Sequence, residues 1–171
     1  DAIMREKKIP LFALESQDPI KKFDFLGITI QYEMCYTNIL QILDLSGIPF
    51  IATERTWECP IVIGGGPCSY NPEPIAEFFD IFYIGEGETQ YRALLDLYKK
   101  CRDSGVSREA FLAEAAKLPG MYVPRFYEVT YYENGTIKSF EPTCPDIPRT
   151  ILKEVVTDMS NTYYPEKPVV P

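Results

Sequence analysis

The sequence predicts an α/β protein, a doubly wound parallel sheet covered by helices on both faces, with an antiparallel β-hairpin appended. Three observations carry this. Short runs that are apolar at nearly every position recur between Leu11 and Ile84, the pattern of strands covered on both faces. Segments with helical periodicity lie between and after them. Past Pro119-Gly120, residues rich in tyrosine and β-branched side chains flank Asn134-Gly135, a strong hairpin signal because both residues accept positive φ.

The expected strands are Leu11–Leu14, Phe25–Ile30, Phe50–Ala52, Ile61–Ile63 and Ile81–Ile84. A helix is expected over 37–46, with Ile39, Leu40, Ile42 and Leu43 apolar and Gly47 stopping it. Pro72–Phe79 fits a short helix, since proline is tolerated in a first turn. Tyr91, Leu94, Leu95 and Tyr98 share one face of a helix over about 88–102. Ser107 caps a further helix that turns Phe111, Leu112, Ala115, Ala116 and Leu118 inward. Tyr122–Tyr132 and Thr136–Phe140 form the hairpin, its tyrosines (Tyr122, Tyr127, Tyr131, Tyr132) read as a packing face. Ile151–Val156 is one more strand candidate. Strand-helix alternation of this kind is Rossmann-like or flavodoxin-like. Seven of the fifteen prolines lie in residues 1–118 and eight in residues 119–171, so the chain divides into an α/β part over 1–118, a hairpin part over 119–157 and a linker over 158–171.

Composition narrows the chemistry. The 171 residues carry 17 Lys plus Arg against 25 Asp plus Glu, a net charge of −8, which disfavours nucleic acid and anionic membranes as partners. Histidine is absent, so no imidazole base, Ser-His-Asp triad or histidine metal ligand can form from these residues. Cys35, Cys59, Cys68, Cys101 and Cys144 are odd in number and contain no CxxC. That spacing suits reduced thiols in a cytoplasm rather than a zinc ribbon or a disulfide framework. No apolar run approaches bilayer length. The leading Asp1 and the proline-rich end at Pro171 read as those of a piece excised from a longer polypeptide.

Three segments sit where a predicted strand ends: Thr29–Glu33, Gly64–Gly66 and Gly85–Glu88. In an open parallel sheet ligands bind outside the carboxyl ends of the strands, so these corners should line one rim. Gly64, Gly65 and Gly66 allow close backbone approach, either by a ligand or by tight strand-helix packing. Neither GxxxxGK[ST] nor GxGxxG is present there, which argues against a phosphate loop. Glu86 and Glu88, between and after Gly85 and Gly87, either accept hydrogen bonds from a ligand or sit at a helix start for the backbone dipole. Thr29, Gln31 and Glu33 alternate with apolar residues and need polar partners, in a ligand or in neighbouring loops. Cys35, Cys59 and Cys68 are candidates for the same rim, with inert buried thiols the plainer reading.

Phe25 to Glu88, with GITI, then VIGGGP, a Pro-Glu helix and IGEGE in that order, resembles the cobalamin-binding-like domain that precedes the barrel in many radical S-adenosylmethionine (SAM) proteins. The resemblance implies a Rossmann-like fold whose first strand and helix lie before Asp1. It also implies a parent iron–sulfur oxidoreductase whose 4Fe-4S cluster and SAM belong to an absent barrel domain following Pro171. Within this chain it assigns no catalytic or metal-binding residue. It points to Thr29, Gln31, Gly64, Gly65, Gly66, Gly85, Glu86, Gly87 and Glu88 as cofactor-facing, with cobalamin the candidate ligand. The expected partners are the rest of the polypeptide and a small-molecule or corrinoid ligand. The other reading is a flavodoxin-like module that grips a small molecule or a protein in a non-redox pathway.

Overall fold

The structure is a computed structural model that describes residues 1–162. Its main sheet has the order β1-β2-β3-β4, formed by Phe25–Thr29, Ile61–Gly65, Ile81–Tyr83 and Met121–Tyr122. The first three strands run parallel and β4 is antiparallel to β3. β2 is central, and its first four residues are buried, as the uninterrupted apolar run requires.

Helices cover both faces. α1 (Ala2–Lys7) lies beside α2 (Tyr36–Ser46), and α2 packs on the face bearing Ile30, Val62 and Phe82. Gly47 ends α2 in the left-handed region, its N–H donating to Asp44 while Ile48 N–H reaches Leu43. The other face, with Ile61, Ile63, Ile81 and Tyr83, is covered by α3 (Tyr91–Asp103) and α4 (Arg108–Ala115). Ser107 Oγ accepts from Ala110 N–H at 3.2 Å, the N-cap expected of it. The α/β sheet class is therefore as predicted.

Several element expectations give way to identifiable competitors. Leu11–Leu14 is no strand: Phe12 makes one isolated bridge to Pro19, and Leu11 N–H is taken by Leu45 O. Phe50–Ala52 is no strand: its carbonyls are taken by Arg55 Nη2 at Phe50 O (2.7 Å), Glu54 N–H at Ile51 O (3.1 Å) and Arg125 Nη2 at Ala52 O (2.9 Å). Pro72–Phe79 becomes a 3₁₀ stretch over Glu73–Phe78, broken at Ile75. In α3 the buried stripe is Leu94, Tyr98 and Cys101, with Tyr91 at its edge against the Tyr83 ring at 5.1 Å, whereas Leu95 is exposed. Tyr122 joins the main sheet, so the hairpin itself is β5 (Tyr127–Tyr131) and β6 (Ile137–Pro142). Gly135 takes φ 80° at its turn. Tyr127 stacks on Phe140 and touches Tyr122, docking the hairpin, but Tyr131 and Tyr132 are exposed. Ile151–Val156 contributes one parallel bridge, Glu154 to Gly85. Of the expected linker over 158–171, Met159–Asn161 is a 3₁₀ turn and 163–171 lie outside the described residues.

A buried ionic knot at the amino end of the sheet carries no motif in the sequence. Asp80 Oδ2 accepts from Arg55 Nη1 at 3.0 Å, Arg108 Nη2 at 2.9 Å and Val62 N–H at 2.9 Å. Arg125 stands 3.9 Å from the other carboxylate oxygen. Burial pulls the Arg55 and Arg125 pKa values down, and the Asp80 charge opposes that shift.

Candidate functional site at the carboxyl rim of the sheet

Because β1, β2 and β3 are adjacent and parallel, their carboxyl ends bring Thr29–Glu33, Gly64–Gly66 and Gly85–Glu88 onto one rim. Thr29 pairs with Gly65 in register, and Ile30 N–H donates to Gly65 O at 2.7 Å. Cys68 N–H then donates to Ile30 O at 3.1 Å, closing the second corner onto the first. Thr29, Gln31 and Glu33 are exposed. Tyr32, Met34 and Tyr70 add large exposed apolar surface, at 55%, 82% and 56% exposure.

Gly64, Gly66 and Gly85 each abut the chain's own atoms. A Cβ on Gly64 would lie 2.8 Å from the Phe82 ring, and one on Gly66 would lie 3.0 Å from Ile30 O. Gly66 also sits at φ 90°. A Cβ on Gly85, at φ 130°, would meet Glu154 O at 2.3 Å. Gly65 alone of the three in its run keeps room on its surface, with Tyr83 O as nearest neighbour at 3.9 Å.

The third corner is rigidly held. Tyr83 OH donates to Glu86 O at 2.7 Å and shares a 2.7 Å hydrogen bond with Thr89 Oγ1. Burial pushes the Tyr83 phenol up, so it remains a donor. Thr89 Oγ1 also reaches Glu86 O at 3.1 Å. α3 starts only at Tyr91, so Glu86 and Glu88 stand ahead of the first helical turn rather than within it. Beside this corner a trough of about 1020 Å³ opens between Gly87–Tyr91 and Val155–Asp158.

Of the three cysteine candidates, Cys35 and Cys68 are half-buried in this region. Burial, then the negative field of Glu33 and Cys35, raises the Cys68 pKa and keeps it a thiol. The same surroundings raise the Tyr36 phenol, burial first. Cys59 lies at the opposite end, before β2, where Arg108 binds its carbonyl. Among the described residues no group of three His, Cys, Asp or Glu could hold a metal ion, and no helix is long and apolar enough to cross a membrane. The rim thus offers hydroxyl, amide, carboxylate, thiol and apolar contacts.

Sequence reasoning missed a second cavity, of about 470 Å³, near the amino ends of β2 and β3, where Phe79, Tyr122, Tyr127 and Arg125 meet Glu73 and Glu77. Tyr122 OH donates to Glu73 Oε1 there. Nothing local in the sequence pairs those two residues, because β4 was not legible as part of the main sheet.

Comparison with known proteins places this geometry. One curated relative is the uncharacterized protein MJ0966 of Methanocaldococcus jannaschii, 41% identical over 86 residues, a match covering 49% of this chain and 18% of the relative. The chain therefore spans under a fifth of that relative's length. The family model described as "Radical SAM proteins, N-terminal" matches residues 1–124, which contain all four strands of the main sheet and all three rim corners, and the chain belongs to that N-terminal family of radical SAM proteins.

Proposed function

We propose that the chain is the accessory Rossmann-like domain of a longer iron–sulfur, radical SAM oxidoreductase of the cytoplasm, not catalytic alone, whose carboxyl rim faces the catalytic domain. The observation that carries this is the rim itself: three polar corners and the exposed Tyr32, Met34 and Tyr70 share one edge of the sheet, inside the stretch that the N-terminal family model matches. When bound elsewhere in the polypeptide, a 4Fe-4S cluster and SAM supply radical chemistry. The described residues provide no ligand set for the cluster, so this chain's part is contact and positioning.

Cobalamin fits the rim poorly. Its expected cradle needs open backbone at the glycine corners, yet Phe82, Ile30 and Glu154 fill the space at Gly64, Gly66 and Gly85. Titration with hydroxocobalamin is expected to leave its visible spectrum unchanged. A saturable spectral shift that Gly65→Val abolishes would restore the corrin reading.

The decisive experiment compares the complete polypeptide with residues 1–162 after anaerobic reconstitution with iron and sulfide. The complete polypeptide should hold iron and sulfide and cleave SAM to 5′-deoxyadenosine; residues 1–162 should do neither. A complete polypeptide without cluster or SAM cleavage would favour the non-redox binding module instead.

The sheet also supports an upstream completion. Asp24 O and Ile30 N–H face β2, so the N–H and C=O of Phe25, Gly27 and Thr29 point outward along an open edge. α1 is pinned to α2 by Arg5–Asp44 at 2.5 Å and by Gln41 Nε2 donating to Asp1 Oδ2 at 2.5 Å. A parallel strand added beside β1 and joined to it by a right-handed crossover would bring a helix to this face. The proposed occupant is a segment preceding residue 1. In the complete polypeptide the Gly27 and Thr29 amides should then exchange slowly; fast exchange there would refute it.

A further inference from the structure

The Gly85–Glu88 corner, expected to face a ligand, is filled by the chain's own Lys153–Val156 segment. Glu154 N–H donates to Ile84 O at 3.0 Å, and Glu86 N–H donates to Glu154 O at 3.0 Å, which extends the β3 ladder by one parallel bridge. Glu86 Oε2 accepts Val156 N–H at 2.5 Å, and Gln90 Nε2 donates to Glu154 Oε2 at 3.3 Å. The seat is shaped by two glycines. A Cβ on Gly85 would meet Glu154 O at 2.3 Å, and one on Gly120 would meet Glu154 Cγ at 2.9 Å. Lys153 Nζ lies 5.9 Å from the Tyr70 ring centroid, so the segment also touches the second corner.

We infer that Gly85, Glu86, Gln90 and Gly120 form a clasp for residues 153–156, and that the clasp fixes the path by which the polypeptide leaves the rim toward its next domain. A backbone segment is the partner this surface fits: both main-chain hydrogen bonds and the missing Cβ atoms recognise an extended peptide rather than a side chain or a phosphate. The carboxylate of Glu86 is spent on a backbone N–H, which accounts for an acidic residue that makes no ion pair among the described residues. A flexible connection would let the next domain wander over many ångströms. Anchoring at Glu154 and Val156 removes that freedom at the rim where Tyr32, Met34 and Tyr70 are exposed. The consequence for domain placement rests on the accessory-domain reading; the clasp itself does not.

The test uses the complete polypeptide and limited trypsin digestion, since Lys153 lies within the clasp and Arg149, four residues earlier, lies outside it. Lys153 should be cut far more slowly than Arg149. Glu86→Ala removes a charge-assisted acceptor and should raise cutting after Lys153 by about ten- to a hundred-fold, with Arg149 unaffected. Glu86→Gln, which keeps an acceptor oxygen, should recover most of the protection. Equal cutting at Lys153 and Arg149 in the unaltered protein, or no response to Glu86→Ala, would overturn the clasp. If Gly85→Ala unfolds the domain, amide exchange at Glu154 and Val156 in the unaltered protein decides the matter, slow for a clasp and fast without one. Small-angle scattering of Glu86→Ala then tests placement: a broader distance distribution supports it, and an unchanged one refutes that part alone. Failure of the accessory-domain reading would appear separately, as a polypeptide without SAM cleavage but with Lys153 still protected.

Discussion

Removing the Asp80 carboxylate should be among the most damaging single changes in the molecule. Its side chain is fully buried and faces Arg55, also fully buried, and Arg108, 6% exposed, at 3.0 and 2.9 Å. Asp80→Ala leaves two desolvated guanidinium groups without their counter-charge and Val62 N–H without its acceptor. Breaking a buried pair from one side costs about 3–5 kcal/mol, a large part of a total stability of about 5–15 kcal/mol. For a chain of this size that corresponds to a fall in Tm of roughly 10 °C. Asp80→Asn keeps the volume and one acceptor oxygen but not the charge, and should lose about 2–4 kcal/mol. Arg92→Ala is the internal control: its partner Asp96 is 4.0 Å away and both side chains are largely in water, so its effect should stay below about 0.5 kcal/mol. Urea denaturation of the three variants reads all of these values. An Asp80→Asn protein within about 1 kcal/mol of the parent would refute the view that this charge organises the amino end of the sheet.

Two further outcomes follow from the same geometry. Gly64→Ala drives a Cβ to within 2.8 Å of the Phe82 ring and should destabilise by about 1–3 kcal/mol, whereas Gly27→Ala meets only Ile63 at 4.0 Å and should be neutral or stabilising by up to about 1 kcal/mol; thermal melts giving the same sign for both would contradict the packing explanation of the Gly64 run. Burial, reinforced by the Glu73 hydrogen bond, pushes the Tyr122 phenol well above its ordinary value of 10. Above pH 10 the unfolded chain therefore loses a proton that the folded one keeps, and stability falls with rising pH by about 1.4 kcal/mol per unit for this group. The contribution is complete below pH 10 and is lost above it, and Tyr122→Phe should flatten the alkaline slope by that amount; an unchanged slope in alkaline urea titrations would place the shift elsewhere.

The parts of the fold that could be read from the sequence are those whose signals are local. β2 was legible because Ile61–Ile63 is apolar on both faces, α2 because Gly47 stops it, and the hairpin because Asn134-Gly135 marks its turn, although Gly135 alone of the two takes the positive φ. What was not legible depends on distant partners. Phe50–Ala52 has strand composition, but Arg55 Nη2, Glu54 N–H and Arg125 Nη2 take its three carbonyls. Met121–Tyr122 is only two residues long, and its place in the sheet is decided by pairing with Tyr83 and Phe82. The rim was legible in outline because a parallel sheet forces successive strand ends together. Its occupant was not, since a missing Cβ reports that something comes close and not what. At Gly64 it is a phenyl ring, at Gly66 a carbonyl of the neighbouring corner, and at Gly85 a backbone 69 positions along the chain.

The two ends of the sheet divide their tasks, and the division follows from hydrogen-bond satisfaction. At the amino end Arg55 donates to Asp80 and to the carbonyls of Pro49, Phe50 and Phe78, and Arg108 donates to Asp80 and to those of Thr56, Cys59 and Pro60. Those bonds tie loops that would otherwise be loose to the starts of β2 and β3. Most polar groups at that end are engaged within the chain, and Asp80 Oδ1 and Arg108 Nε are the buried side-chain atoms of the knot left without a hydrogen-bond partner among the described residues. At the carboxyl end Thr29, Gln31 and Glu33 face water, and large apolar side chains stand beside them. A sheet locked at one end can leave the other end's polar groups exposed without losing its register, because the strand pairing is already fixed by buried contacts. The proposal that a further domain meets this chain at the carboxyl rim, rather than at the charged knot, rests on that asymmetry.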